Sequence, residues 1–173
     1  MILDNYTRFM RFTLIDRIHE VAKGQQLKAT KNLTLGEEYL ADHFPTFPVM
    51  PGVLMLEALV QAAAWLIRIT EDFHPTIITL KEVKGVKYGN FMEPGKQLNL
   101  AVEVQGSYNK ELTTVSFKGT GEANGQSTVN ARFVLQKRRL QDSRPELATM
   151  DDNVRRIYRE QYALINRSEP SKV

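Results

Sequence analysis

Residues 53–70 have the sequence VLMLEALVQAAAWLIRIT, and this run decides the fold because almost every side chain in it is apolar. Ala, Leu and Met are strong helix formers, and Pro51 stands where the first turn of a helix accepts proline. A helix that is hydrophobic on nearly all sides belongs in a protein core. Glu57 and Gln61 interrupt the run, and its flanks lack the charge pattern of a membrane span. The stretch therefore predicts a long, buried central helix and no membrane insertion.

Upstream of this helix, the sequence predicts an ordered, extended loop over residues 43–52. Prolines recur at positions 45, 48 and 51, and proline excludes both helix and central strand at that density. Two extended stretches, 11–22 and 26–33, are predicted further upstream, followed by a short helix over 35–41. The N-terminal part therefore supplies two strands and a rigid loop that leads into the helix.

Downstream of the helix, the pattern of apolar residues changes to a period of two. Residues 98–104 and 129–135 alternate in this way, which predicts half-buried antiparallel strands, and residues 77–86 predict another strand. Turns are predicted at Glu93-Pro94-Gly95, Tyr108-Asn109-Lys110 and Asn124-Gly125. One apolar helix with about five or six antiparallel strands predicts an α+β fold, in which the helix packs against the sheet.

The last part of the chain, residues 141–173, is predicted to be an extension of a domain that covers residues 1–140. Residues 143–147 resemble a linker, and 150–166 predict an amphipathic helix whose apolar face packs either on its own domain or on a neighbouring subunit. The net charge of the chain is +3, and the basic excess lies in residues 137–173. A mildly basic tail is a weak argument for nucleic acid and suits an acidic protein equally well.

The composition excludes several kinds of chemistry. The chain has no cysteine and three scattered histidines, so disulfides, thiolate catalysis and cysteine-based zinc sites are excluded, and no metal-ligand spacing is present. The first residues lack the apolar core of a signal peptide. We therefore expect a cytoplasmic protein that uses no metal.

Two side chains near the start of the helix are candidates for acid–base chemistry. His43 lies in the rigid loop, and histidine is the usual general base because it titrates near neutral pH. Glu57 lies in the first two turns of the helix, where burial of the carboxyl group favours its protonated form. Gln61, one turn further, can hold that carboxyl group by a hydrogen bond. The alternatives are a histidine that only bonds a loop carbonyl and a glutamate that faces solvent.

The start of the helix is a third candidate feature. No Ser, Thr, Asp or Asn stands at the capping position before Gly52 and Val53, so no side chain obviously binds the first backbone N–H groups. Such groups can polarise a carbonyl oxygen and stabilise an enolate. The alternative is that water satisfies them.

Together these features are similar to a known pattern. The stretch HFPTFPVMPGVLMLEALVQAAA, residues 43–64, resembles the active-site signature of the 3-hydroxyacyl-acyl-carrier-protein dehydratases of fatty acid synthesis. In that family a His-Phe-Pro loop, a Pro-Val-Met-Pro-Gly turn and a Glu-Ala-x-x-Gln helix recur in this order and spacing. The resemblance implies a hot-dog fold, in which a curved antiparallel sheet wraps a long central helix. It also implies a homodimer or a trimer of dimers that acts on acyl carrier protein.

The resemblance assigns roles to individual residues. It implies that His43 removes the proton α to the thioester carbonyl and that Glu57, from the other subunit, protonates the departing hydroxyl group. It further implies that the carbonyl oxygen of Val49 orients His43. The substrate-binding set implied in this way is Val49, Gly52, Val53 and Gln61. Glu at position 57 favours the dehydratase-only branch, because the isomerising relative usually carries Asp there.

The sequence departs from the family pattern near the site. Thr46 stands where the family has Gly, and Asn90 and Phe91 stand where it has a basic residue and then proline. These changes bear on chain-length preference and carrier recognition, for which Lys81, Lys84, Lys87 and Lys96 are docking candidates. Two alternatives remain: a hot-dog thioesterase, which needs a carboxylate-activated water, and a non-catalytic acyl-thioester-binding or scaffold subunit.

Overall fold

A computed structural model describes residues 12–166 and contains one six-stranded antiparallel sheet in the order β1-β2-β4-β5-β6-β3. The strands are β1 Arg17–Ala22, β2 Gln26–Asn32, β3 Ile77–Tyr88, β4 Gln97–Val104, β5 Thr114–Ala123 and β6 Gln126–Arg138. The two α-helices are α1 Gly52–Thr70 and α2 Ala148–Ile165. The predicted α+β fold is confirmed.

Helix α1 packs against strands β2, β4, β5 and β6, and residues 58–69 of the helix are all buried. A side chain at Gly119 on β5 would place its Cβ atom 3.1 Å from the methyl carbons of Leu59 and 3.2 Å from the ring of Phe133. Glycine at this position therefore lets the helix approach the sheet closely. Although α1 is long and apolar enough to cross a membrane, most of it is buried inside the fold, which supports the prediction of a core helix.

The connections between strands agree with the turn predictions. Asn124 and Gly125 have φ values of 52° and 74° and join β5 to β6 as a two-residue hairpin. Gly95 has φ of 86°, as its predicted turn requires. The hairpin predicted at residues 108–110 also forms, because β4 pairs antiparallel with β5, but its loop is longer than predicted and runs over residues 105–113. Polar residues in that stretch bond locally: Glu111 N–H donates to the side chain of Asn109 at 2.9 Å.

Several predicted boundaries change in the structure. The strand predicted over 11–22 begins only at Arg17, and residue 11 lies outside the described residues. In place of the helix predicted over 35–41, the chain forms a short 3₁₀ helix, Glu38–Ala41. Pro51 is the residue just before α1 rather than part of its first turn. The predicted linker contains a 3₁₀ turn, Pro145–Leu147.

The C-terminal helix packs on its own chain. The ring of Tyr158 on α2 lies edge-on to Trp65 of α1, with centroids 5.8 Å apart. The guanidinium group of Arg68 lies 3.8 Å from the centroid of Tyr158, and Tyr158 and Val154 belong to the same hydrophobic core as α1. Of the two packing alternatives that the sequence left open, the structure therefore shows the helix packed on its own domain.

Strand β3 forms one edge of the sheet and is exposed over most of its length. Several of its exposed side chains are apolar: Leu80, Val83, Val86 and Tyr88. An exposed sheet edge with apolar side chains is a surface that invites pairing with another strand.

Candidate active site

The loop that carries His43 is ordered by its own backbone. The N–H of His43 donates to the carbonyl of Tyr39 at 3.2 Å, and the N–H of Val49 donates to the carbonyl of His43 at 3.3 Å. A turn closes between them, in which Phe47 N–H donates to the carbonyl of Phe44 at 2.9 Å. The loop is therefore ordered as predicted, although it is less extended than the sequence suggested.

The imidazole ring of His43 is half-buried and has a fixed orientation. Its Nδ1 atom lies 2.9 Å from the carbonyl oxygen of Val49, a contact that the resemblance implied. The ring of Phe44 packs beside the imidazole, with the two ring centroids 4.5 Å apart. A carbonyl oxygen only accepts hydrogen bonds, so Nδ1 must carry the hydrogen in this contact. In the neutral ring the lone pair is then on Nε2, which is the atom available to take a proton.

Glu57 is held at one of its two oxygens. The Nε2 group of Gln61 donates to Glu57 Oε1 at 3.0 Å, as the spacing of four residues predicted. Gln61 is itself anchored, because it accepts a hydrogen bond from Leu14 N–H at 2.9 Å and donates to the carbonyl of Phe12 at 3.2 Å. The predicted burial of the carboxyl group is partial in the single chain: Glu57 is half-buried, because it lies near the open start of α1.

The start of α1 has no side-chain cap. Pro51 precedes the helix with φ of −54° and ψ of 137°, and no hydrogen bond within residues 12–166 uses the N–H of Gly52 or Val53. A Cβ atom on Gly52 would lie 3.0 Å from the ring of Tyr88, so only glycine fits there without a shift of that ring. The Val53 side chain is 66% exposed.

Tyr39, which precedes the loop, stays uncharged. Burial raises the pKa of its phenol, and the negative charges of Glu37 and Asp16 raise the pKa further. The ring packs edge-on to Phe12 at 5.9 Å. Tyr39 therefore contributes a neutral aromatic side chain next to the loop.

The single chain assembles the candidate residues in two groups. His43 and Val49 form one group beside the start of α1, and Glu57 and Gln61 form the other. No hydrogen bond within the described part of the chain joins His43 to Glu57. In the same part of the chain, no three His, Asp or Glu side chains form a metal-binding cluster.

Sequence reasoning missed the segment that packs against this site. Tyr88 contacts Gly52, Phe91 contacts Phe47, and the carbonyl of Met92 accepts from Met50 N–H at 2.8 Å. These residues lie more than thirty positions away from the loop in sequence, so no periodicity connects them to it. The one available signal was that Asn90 and Phe91 depart from the family pattern.

The architecture and the uncapped helix start define a hot-dog-fold protein, and solved structures share this fold. Protein smu.793 from Streptococcus mutans UA159, bound to acetyl CoA, aligns with a TM-score of 0.55 and 14% identity over 76% of this chain and 94% of that chain. Cj0977 from Campylobacter jejuni aligns with a TM-score of 0.55 and 11% identity over 75% and 80%. At such low identity these structures support the fold alone.

The sequence itself gives the family. Residues 7–132 match the FabA-like domain. The chain is 35% identical to the 3-hydroxyacyl-[acyl-carrier-protein] dehydratase FabZ of Janthinobacterium sp. (strain Marseille), over 76% of this chain and 85% of the relative. It is 34% identical to the FabZ of Dechloromonas aromatica (strain RCB), over 80% and 96%, and 36% identical to that of Bacillus subtilis (strain 168), over 72% and 82%. The chain belongs to the FabA-like domain family.

Proposed function

We propose that this protein is an enzyme that dehydrates 3-hydroxyacyl thioesters on acyl carrier protein to trans-2-enoyl thioesters in fatty acid or related lipid biosynthesis. Relatives that bear the name of this activity match most of the chain at 34–36% identity. The observation that carries the proposal is the His43 ring, held through Nδ1 so that Nε2 is available as a base.

His43 and Glu57 divide the proton transfers. Nε2 of His43 takes the proton from C2 of the substrate, and the electron pair of that bond forms the C2–C3 double bond while the C3–O bond breaks. Glu57 supplies a proton to the departing hydroxyl group, which leaves as water. Because Gln61 occupies Oε1 of Glu57, Oε2 is the oxygen available to carry that proton. No other reactant is needed to balance the step.

The start of α1 stabilises the charge that develops on the thioester. As the C2 proton leaves, negative charge accumulates on the carbonyl oxygen, and unpaired N–H groups at a helix start favour an anion there. Gly52 supplies the nearest such N–H and has no side chain to block the approach. Val53, whose side chain is exposed, lies beside the substrate. The carbonyl oxygen of Val49 keeps the His43 ring in its orientation.

A homodimer completes the site. The exposed edge of β3 pairs with its equivalent in a second copy, as an isologous interface allows. The pairing brings His43 of one subunit close to Glu57 of the partner subunit, and a trimer of such dimers is the alternative assembly. Val83→Lys puts a charge into the exposed edge and is expected to give an inactive monomer. Light scattering measures the mass, and a Val83→Lys protein that remains dimeric contradicts this interface.

The carrier docks on a basic groove on the sheet. Lys84, Lys87, Lys118 and Arg132 line a cavity of about 470 Å³ together with Gly85. No ion pair within residues 12–166 involves any of these four cations. An acidic carrier would be attracted to such a surface. Lys96, another candidate from the sequence, instead pairs with Glu93 at 2.9 Å.

The groove has a direct test. Lys118→Glu with Arg132→Glu is expected to raise KM about tenfold or more for a carrier-bound substrate, since both charges are reversed. The same variant should leave KM unchanged for a small-thiol thioester, which does not use the groove. An equal KM effect on both substrates would show that the groove is not a carrier surface.

Residues 1–140 form the hot-dog domain and residues 141–173 an extension whose helix packs on it. The enzyme acts in the cytoplasm without a cofactor, and nucleic acid is not a partner.

The activity is tested by hydration of a crotonyl thioester, on a carrier protein and on a small thiol, followed as loss of enoyl absorbance. Turnover by the wild type supports the dehydratase. Release of free thiol would indicate a thioesterase instead, and a wild type that is silent on short and long chains would indicate a binding subunit.

A further inference from the structure

The segment from Tyr88 to Met92 contacts the catalytic loop and the helix start at three points. The ring of Tyr88 packs on Gly52, the carbonyl of Met92 accepts from Met50 N–H at 2.8 Å, and the ring of Phe91 packs on Phe47. The contact between Tyr88 and Gly52 belongs to the start of α1. The other two contacts concern the loop that carries His43.

These two contacts lie on either side of Val49. Phe47 stands two residues before Val49 and Met50 one residue after it, and both are held by consecutive residues, Phe91 and Met92. The carbonyl oxygen of Val49 is the group that accepts from the His43 ring at 2.9 Å. A displacement of either anchor therefore moves the acceptor that orients the imidazole.

The Phe47–Phe91 contact has the geometry of a specific aromatic pair. The ring centroids are 5.7 Å apart and the rings are perpendicular, which is a favourable edge-to-face arrangement. Both side chains remain largely exposed, at 46% and 63%, so burial in the hydrophobic core does not account for their position. The pair joins the turn after Phe44 to a segment anchored by the buried side chain of Met92.

We propose that Phe91 is a positioning residue for His43, acting through Phe47 and the carbonyl group of Val49. The inference rests on the proposed dehydratase activity. Phe91 touches no reacting atom in this account. Its ring limits the movement of the loop, and the imidazole therefore stays in the orientation in which Nε2 faces the substrate.

The test compares steady-state hydration of a crotonyl thioester by the wild type and by Phe91→Ala. We expect kcat to fall by about three- to tenfold, the loss equivalent to one aromatic pair, with KM changed by less than about twofold.

Two further variants separate positioning from general destabilisation. Phe91→Tyr keeps the ring and should restore kcat. Leu112→Ala removes an exposed apolar side chain in the β4–β5 loop and should change neither kcat nor KM. The double variant Phe47→Leu/Phe91→Leu should lose no more kcat than Phe47→Leu or Phe91→Leu alone, because each single variant already breaks the same contact.

The inference is overturned if Phe91→Ala keeps the wild-type kcat, or if it changes KM alone. It is also overturned if the two single losses multiply in the double variant. A failure of the proposed function has a different signature, because the wild type itself would then produce no hydration at all.

Discussion

The two ends of helix α1 are built in opposite ways. At its start, no side chain caps the backbone, Val53 and Phe47 are exposed, and Glu57 is half-buried. At its other end, α2 covers the helix: Trp65 and Arg68 are both buried and pack on Tyr158. The start of α1 therefore exposes backbone N–H groups and apolar side chains, whereas the other end is covered by α2.

The C-terminal end also holds a buried carboxylate. Asp151 on α2 is completely buried, and its carboxylate accepts from the N–H groups of Leu140 and Gln141, at 2.9 and 3.0 Å, and from the hydroxyl of Thr76. Arg68 is buried there too, and its Nε has no hydrogen-bond partner within the described residues. From this comparison we expect the chemistry at the exposed start of α1 and a contribution to stability at the covered end.

The largest expected effect is at the start of the helix. His43→Ala and Glu57→Gln should each lower kcat for crotonyl thioester hydration by about 10²–10⁴-fold, the range for loss of a general acid or base. Neither change removes a core contact, so the melting temperature should stay close to that of the wild type. A variant that keeps more than about a tenth of the wild-type kcat would contradict an acid–base role for that residue, since loss of a general acid or base lowers kcat by about a hundredfold or more.

At the other end of α1, Asp151→Asn should act on stability and leave kcat unchanged. An amide cannot accept at both positions as the carboxylate does, so the free energy of unfolding at neutral pH should fall by about 1–3 kcal/mol. Urea unfolding of the two proteins measures the difference. A change in kcat with unchanged stability would reverse the assignment of the two ends.

The Asp151 effect should also depend on pH. Burial opposes ionisation, but the hydrogen bonds from Thr76, Gln141 and Leu140 outweigh it and lower the pKa of this carboxyl group below its usual 3.8. A depressed pKa contributes stability above the unfolded value and loses it as the pH falls through the folded value. The gap in stability between wild type and Asp151→Asn should therefore narrow below about pH 4. A difference in unfolding free energy that stays constant from pH 7 to pH 3 would contradict an ionised Asp151 carboxylate in the folded protein.

A smaller effect is expected from Gly52→Ala. The new Cβ atom would meet the Tyr88 ring at 3.0 Å, and overpacking of this kind costs about 1 kcal/mol where a partly exposed ring can shift. We expect reduced kcat, because the first N–H groups move with the helix start. Adding Tyr88→Leu should recover part of the lost stability and of the lost kcat. If the double variant is worse than Gly52→Ala alone, the ring is not the obstacle.

The smallest effect is expected on the outer face of α2. Arg156 and Glu160 form an exposed ion pair at 2.8 Å, with 57% and 63% of each side chain exposed. Arg156→Gln should change the free energy of unfolding by less than about 0.5 kcal/mol. A larger change in urea unfolding would show that this face of α2 also contributes to stability.

The sequence predicted the parts of the fold that depend on local patterns. The apolar run of α1, the alternation in β4 and β6, and the Asn124-Gly125 hairpin were all confirmed, because each is specified by residues close together in the chain. The hairpin predicted at residues 108–110 has a longer loop than expected, because local turn residues do not reveal the length of the loop around them. The 35–41 helix was too long because Gly36 and the lack of a side-chain cap shorten it to one turn.

The candidate site was predictable where its contacts are local. The His43–Val49 and Glu57–Gln61 hydrogen bonds span six and four residues, so the motif alone implied them. The anchoring of Gln61 by Phe12 and Leu14 spans more than forty residues, and the Phe47–Phe91 pair joins two distant loops. Such contacts are set by the fold rather than by local pattern, and only the structure reveals them.

The central claim, that His43 of one subunit works with Glu57 of the partner subunit, is tested most directly by a mixed dimer. His43→Ala and Glu57→Gln chains with different tags are co-expressed, and the dimer that carries both tags is purified. The account predicts about half of the wild-type activity, because one of the two sites in a two-fold dimer then has both groups intact. A mixed dimer as inactive as either parent would contradict a shared site.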